Sequence, residues 1–274
     1  MHIFLAGGAG IVGTRLIPAL VRAGHDVTAT TRRTERLDVL HDLGARGVVV
    51  DVLDAPHLAE TVAAAEPELV MHQLTDLGEY DTEANARLRR DGTANLVAAA
   101  EAAGVDRMIA QSIAFAYAPG DTTATEDDPL EPGSAVGTLE ALVHRLPRAT
   151  VLRYGMFYGD GTWYAPGGRI AGAVAAGQLP ATPTITPFVH IEDVVSATVQ
   201  ALDWPDGTYN IVDDEPASGT VWLPVYASGL GAPAPRVAGL PDAAPRRRTV
   251  SNAKARAVGW RPGYPSWRDG FPTL

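Results

Sequence analysis

Short apolar runs alternate with longer stretches in which apolar residues recur every three or four positions, and this rhythm repeats through the first half of the chain. The short runs predict strands near 2–6, 26–30, 47–50, 68–72, 107–111 and 149–153, and the longer stretches predict helices between them. In 11–22, Ile11, Val12, Leu16, Ala19 and Leu20 share one helix face and Gly24 follows as a stop. Asp54-Ala55-Pro56 supplies a cap and an early-turn proline for a third helix, residues 83–103 a long Ala/Leu-rich one, and 139–146 lie in a fifth. Repeated strand–helix units of this kind predict an α/β fold built on a doubly wound parallel sheet.

After residue 155 the texture changes. Gly and Pro crowd into 155–168 and 179–187, which are expected loops, whereas 191–202 has a helical pattern, 208–212 a strand pattern, and the end is a Pro-rich tail. The expected organisation is a larger domain over 1–155 and a smaller C-terminal lobe over 156–274, with about 188–213 returning to the sheet.

Composition narrows the chemistry. The 274 residues are 46% hydrophobic and 20% charged, enough for a packed core, and the net charge of −10 disfavours nucleic acid and anionic lipid as partners. Cysteine is absent, which removes disulfides, thiolate nucleophiles and Cys-ligated metals, and no His/Asp/Glu spacing suggests another metal site. The apolar start lacks the basic flank of a signal peptide, and no apolar run approaches the roughly 18 residues of a membrane span, so a cytoplasmic protein is expected. Among 22 Lys and Arg, Lys254 is the one lysine.

Between the first strand and first helix stands Gly7-Gly8-Ala9-Gly10-Ile11-Val12-Gly13, which holds Gly-x-Gly-x-x-Gly at 8, 10 and 13 and Gly-x-x-Gly-x-x-Gly at 7, 10 and 13. Glycines there permit a tight turn and the approach of a pyrophosphate to the positive end of the helix, so a dinucleotide site is expected. At the end of the second strand comes Thr30-Thr31-Arg32-Arg33, with no acid before Glu35. An NAD site wants a ribose-binding carboxylate here. Arg32 and Arg33 instead suit the 2′-phosphate of NADP(H), although two arginines also read as a solvated helix start.

With these blocks the chain resembles the extended short-chain dehydrogenase/reductase family of nucleotide-sugar epimerases and dehydratases. The resemblance is carried by the glycine loop, Asp51-Val52-Leu53-Asp54, Val70-Met71-His72, Gly92-Thr93-Ala94-Asn95-Leu96-Val97, Leu152-Arg153-Tyr154-Gly155-Met156-Phe157-Tyr158-Gly159, Val189-His190-Ile191-Glu192-Asp193-Val194 and Val258-Gly259-Trp260-Arg261-Pro262. It implies a Rossmann domain with a substrate lobe, Asp51 and Val52 beside the adenine, Gln73 and Leu74 along the cofactor, and Gly155 and Met156 at the carboxamide. Family members often pair through the fourth and fifth helices; the Ala-rich pattern here serves a homodimer and internal packing equally.

The chain departs from the family at its chemistry. The catalytic Tyr-x-x-x-Lys would fall in the helix after the fifth strand, but counting back from Glu140 gives Pro132-Gly133-Ser134-Ala135-Val136, and Val250 stands four before the single lysine. A family Ser/Thr falls on Ile113, and a family Asn on Arg89. Epimerase and dehydratase chemistry both need the missing base. The expectation is therefore an NADPH-dependent ketoreductase acting on a small molecule that stabilises its own alkoxide, such as an aromatic polyketide or quinonoid ketone. The alternative from another class is a non-catalytic NADP(H) sensor, and a nucleotide-sugar epimerase or dehydratase stands behind it.

Ser112 reads as a satisfied strand-end hydroxyl or a proton donor, and Tyr117 as a cleft phenol or a packing residue. His72 reads as a core imidazole or an acid, and His190 as structural. Tyr158 and Tyr164 could stack on a flat substrate. Glu126-Asp127-Asp128 reads as solvated surface or as a flank of the substrate entrance.

Overall fold

A computed structural model describes residues 1–75, 81–239 and 247–273. The apolar runs form strands β1 (His2–Ala6), β2 (Asp26–Thr31), β3 (Arg46–Val49), β4 (Leu69–His72), β5 (Arg107–Ile113) and β6 (Arg148–Tyr154), at the positions the pattern marks. The later strands are β7 (Met156–Tyr158), β8 (Ile185–Thr186), β9 (Phe188–His190), β10 (Gly207–Ile211) and β11 (Ala217–Ser218). Helices of the first half are α1 (Gly13–Arg22), α2 (Leu37–Asp42), α3 (Ala55–Ala65), α4 (Thr82–Arg87), α5 (Thr93–Ala102) and α6 (Ala135–Val143). Those of the second half are α7 (Arg169–Ala175), α8 (Ile191–Gln200), α9 (Gly219–Gly229), α10 (Ala253–Ala257) and α11 (Trp267–Gly270).

Seven strands form one sheet in the order β10-β6-β5-β4-β1-β2-β3. β1 pairs in parallel with both β2 and β4, so the chain order reverses between β1 and β4, where Ala6 and His72 are register partners at the strand ends. This is the switch point of a Rossmann sheet, the place where such folds bind ligands.

Local signals explain the helix ends. Asp54 caps α3 by accepting a hydrogen bond from the His57 amide at 3.3 Å, and Gly24 turns the chain out of α1 at φ +84°. The helix expected over 83–103 is α4 and α5 joined by a π-helical turn, Leu88–Gly92. Periodicity does not reveal such a turn, because one wide turn shifts the backbone bonding without removing the apolar positions around it.

The expected loops and tail hold more structure than their Gly and Pro content suggests. Met156-Phe157-Tyr158 forms β7 and pairs in parallel with β9, while β8 pairs antiparallel with β11. The Pro-rich tail contains α9, α10 and α11; in α9, Trp222 and Tyr226 lie four apart on the buried face.

Two compact units emerge, one of Met1–Ser112, Pro132–Leu152 and Val195–Thr208, the other of Ile113–Glu131, Arg153–Val194 and Tyr209–Leu274. The first has a largely aliphatic core in which Phe4, Val70, Leu96, Met108, Leu139 and Val151 are buried. The second is built on aromatic residues, with Tyr158, Tyr164, Phe188, Trp222, Trp267 and Phe271 in one cluster. Each large side chain so buried contributes about 1.5–3 kcal/mol.

Candidate active site

The glycine loop follows β1 directly. Gly7 has φ +95°, and a Cβ there would lie 2.5 Å from the Gln73 carbonyl oxygen. A Cβ on Gly13 would lie 2.4 Å from the Gly7 oxygen and one on Gly8 2.6 Å from Ala29 Cβ. Only glycine fits at these three points. Gly10 differs: its Cβ position meets just the Gly7 oxygen, at 3.3 Å, and otherwise faces open space. The Gly7 amide donates to Thr30 Oγ1 at 3.0 Å, which fixes the loop to β2. The first turn of α1 carries no acidic residue to compete for its amides. These features fit a dinucleotide pyrophosphate, with Gly7, Gly10, Ile11, Val12 and Gly13 as its backbone cradle.

Arg32 and Arg33 are exposed just beyond β2. A third arginine, Arg36, donates from Nη2 to the Ala9 carbonyl at 3.3 Å and so braces the glycine loop. Its spacing from the loop gave no sign of this. Asp51 Oδ1 accepts from the Leu53 amide at 2.9 Å, and the buried Val52 has its carbonyl held by Asn95 Nδ2 at 2.8 Å.

At the ends of β4 and β5 the polar groups are tied to one another. The Gln73 amide donates to the Ala6 carbonyl at 2.9 Å, and Gln111 Nε2 to the Leu74 carbonyl at 2.7 Å. His72 is buried, and its Nδ1 accepts from the Leu74 amide at 3.3 Å, so the hydrogen is on Nε2 and is donated to Thr93 Oγ1 at 2.8 Å. Burial, above all, pushes its pKa down to about 4. The imidazole is thus a neutral core group.

Ser112 donates to Glu140 Oε1 at 2.6 Å, and both residues are buried. Glu140 is the buried acid at this strand end that sequence reasoning left unassigned. The available signal was an acid at 140 on the same helical face as Val136 and Val143, both buried. Where the family carries a phenol and an amine four residues apart, α6 presents Val136 and Glu140.

In the second unit, the Tyr117 hydroxyl donates to Asn210 Oδ1 and accepts from Arg153 Nη1, each at 2.7 Å, with the guanidinium 4.8 Å from the ring centre. Burial raises its pKa. Its hydrogen is committed to an amide oxygen, as that of Ser112 is to a carboxylate. Glu126 and Asp128 are corrected from solvated surface: Glu126 Oε1 accepts from the Asn210 amide at 2.7 Å and Asp128 pairs with Arg248 at 2.9 Å. An acid triplet in a polar loop looks the same whether or not its partners lie far along the chain.

The structure also corrects the stacking role of Tyr158 and Tyr164. Their rings lie in the aromatic core, Tyr158 edge-on to Phe188 and Phe271, Tyr164 stacked on Phe271 and edge-on to Trp222. Burial, the main cause, holds both phenols above the ordinary tyrosine range. The amides of Gly155 and Met156 are likewise engaged, donating to the Ile211 and Pro187 carbonyls at 3.0 and 2.7 Å. The single lysine, Lys254, sits 5.0 Å from the Tyr209 ring centre. Among the described residues no group of three or more His, Asp or Glu is placed to hold a metal ion, and no helix is long and apolar enough to cross a membrane.

Residues 3–212 match the NAD dependent epimerase/dehydratase family. The chain is 44% identical over 307 aligned positions, covering 99% of both chains, to the 3-diazoavenalumate denitrifying reductase of a Streptomyces species. It is 31% identical over 120 positions, 44% of this chain and 36% of the other, to the 4-hydroxy-2-methyl-3-oxo-4-farnesyl-3,4-dihydroquinoline-1-oxide ketoreductase of Stigmatella aurantiaca. In fold it is similar to the dTDP-glucose 4,6-dehydratase of Streptomyces venezuelae, solved with NAD and TYD, with a TM-score of 0.82 at 21% identity over 100% of this chain and 95% of that one. The UDP-glucose 4-epimerase of Thermus thermophilus, solved with NAD, gives 0.80 at 22% identity over 99% and 97%. The chain belongs to the NAD-dependent epimerase/dehydratase family, as an enzyme of the extended short-chain dehydrogenase/reductase type that lacks the Tyr-x-x-x-Lys pair.

Proposed function

We propose that this enzyme is an NADPH-dependent reductase of an activated aromatic electrophile, an aryl diazonium in first place. The observation that carries the proposal is the 44% identity, over essentially the whole chain, to a reductase whose name states a diazo substrate and loss of nitrogen. The chemistry of α6 supports it. A ketone accepting hydride becomes an alkoxide that needs a proton, the task of the family's tyrosine. A diazonium cation that accepts hydride at its terminal nitrogen becomes a neutral aryldiazene, which loses N2 and retains the hydrogen on the ring carbon. No oxyanion forms, so Val136 and Glu140 in place of a phenol and an amine remove nothing this reaction uses.

The glycine loop would hold the pyrophosphate of the cofactor, Asp51 and Val52 would flank its adenine, and Gln73 and Leu74 would line the path beyond. Arg32 and Arg33, with no carboxylate at the end of β2, favour the 2′-phosphate of NADPH over the bare ribose of NAD. When bound, the nicotinamide supplies the hydride.

A second reading, the ketoreductase of a hydroxyaryl or quinonoid ketone that internally stabilises its own alkoxide, is favoured by the partial match to the quinoline-oxide ketoreductase. One experiment separates the two. NADPH deuterated at nicotinamide C4 is mixed with an aryl diazonium salt or with hydroxyaryl ketones, and consumption is compared with the protein-free rate. Enzyme-dependent consumption with deuterium on the arene and release of N2 is expected. Consumption with ketones alone would select the second reading, and tight NADPH binding without consumption in either case would select the sensor.

A further inference from the structure

The π-helical turn Leu88–Gly92 and the residue before it hold three arginines with different fates. Arg87 pairs with Asp91 at 3.5 Å and Arg90 with Glu83 at 2.9 Å, but Arg89 has no carboxylate within ion-pair distance among the described residues. Its side chain is half buried, and burial draws its pKa below the ordinary arginine value, with no acid among the described residues opposing that pull. It nevertheless remains a cation at any physiological pH. A guanidinium taken partly out of water with no counter-charge is costly, and its planar fork of donors matches a carboxylate.

The position of the turn gives that cation a use. Its positive field reaches His72, the last residue of β4 and the register partner of the residue that precedes the glycine loop. α6 packs against the turn, and the one acid of α6, Glu140, accepts from Ser112. Arg89 is therefore on the strand-end side of the sheet, where a Rossmann domain receives its ligands. It stands where the family has a neutral Asn, and wide π turns concentrate at functional positions.

We infer that Arg89 is the specificity-determining residue that receives a carboxylate carried by the substrate. This deepens the proposed function, on which it rests, and narrows the substrate to an aromatic electrophile bearing an acid group.

Binding to the NADP⁺-loaded protein tests this without any turnover. Cinnamate, an unreactive aryl carboxylate, and cinnamamide, its neutral counterpart, are titrated calorimetrically into the native protein, Arg89→Gln and Arg89→Lys. The native protein should favour cinnamate at least tenfold; R89Q should lose the preference with NADP⁺ affinity unchanged, and R89K should keep part of it. Should R89Q not fold, R89K alone decides, through a reduced but surviving preference. A native protein without the preference, or an R89Q or R89K that retains it in full, overturns the inference. So does an R89Q that weakens NADP⁺ tenfold while still preferring cinnamate, because the guanidinium then serves the cofactor. An Arg89-dependent preference without diazonium reduction would sink the proposed reaction and leave this assignment standing; reduction without the preference does the reverse.

Discussion

The glycine loop of the first unit and the aromatic cluster of the second answer opposite packing problems. Around Gly7, Gly8 and Gly13 the backbone is closed so tightly that no side chain fits, while Gly10 leaves a gap toward open space. Around Tyr158, Tyr164 and Phe271 side chains fill the interior and cover one another's faces. A ligand can enter where the chain withholds side chains. It finds no platform where phenols have been spent on the core, and even Tyr117 has both roles of its hydroxyl engaged. Composition in a loop thus misleads unless one asks whether its rings are needed to bury area.

The largest expected effect breaks the comparison by the same substitution in each unit. Gly13→Ala puts a methyl 2.4 Å from the Gly7 oxygen and should weaken NADPH by more than about 100-fold, or cost about 3 kcal/mol of stability or more through overpacking. Gly172→Ala, in α7 with nothing within 4 Å, should leave binding unchanged and stabilise by about 0.5–1 kcal/mol. Fluorescence titration and urea unfolding read the two, and equal effects would dissolve the contrast.

Next come two buried groups that titrate in opposite senses. Burial raises Asp213 of the second unit from 3.8 to about 8 despite amides donated by Glu215 and Trp267. The unfolded chain gives up this proton first, so stability should fall as pH rises from about 4 to 8, by something on the order of 5 kcal/mol. His72 of the first unit is lowered from 6.5 to about 4. Here the unfolded chain takes the proton first, so its contribution is present above pH 6.5 and lost on descent toward 4, on the order of 3 kcal/mol. Urea unfolding across this range should show Asp213→Asn flattening the alkaline decline and His72→Asn the acid one. An unchanged slope in either variant would refute that assignment.

Within the first unit, replacing Arg32 and Arg33 by serine should weaken NADPH about tenfold or more while barely touching NADH. Arg36→Ala, which releases Ala9, should weaken both alike by a few-fold. Equal losses for both cofactors in the double variant would defeat the phosphate clamp. The smallest effect is expected from Glu140→Gln, which keeps an acceptor for Ser112 and should hold diazonium turnover within about threefold of native. A hundredfold loss would mean that α6 still moves a proton.

How much was legible depends on how local the cause was. β1, the glycine loop and α1 could be read in sequence because apolar spacing and glycine sterics act within a few residues. Asp54 and Gly24 ended their helices for the same reason. Glu140 was obscured because its partner, Ser112, lies on another element, and Arg36 because a carbonyl of the glycine loop, 27 residues back, is its acceptor. Tyr158 and Tyr164 were misread because Gly and Pro around them suggested surface, whereas the pairing of β7 with β9 carries Tyr158 inward and contacts with Phe188, Trp222 and Phe271 hold Tyr164 in the core. The absence of Tyr-x-x-x-Lys was the reverse case, certain from sequence and without meaning until a reaction needing no phenol was in view.

The extra residue accommodated at Leu88–Gly92 puts the two halves of that helix out of phase by about 100° relative to an uninterrupted one. Thr93, Leu96 and Val97 are buried in the half that follows, and so are Leu88 and Gly92 within the turn itself. A one-codon deletion or insertion at 88–92 would swing Arg89 around the axis and drag the buried Leu88 or Gly92 with it, so the aim of this guanidinium is tied to the packing beneath it.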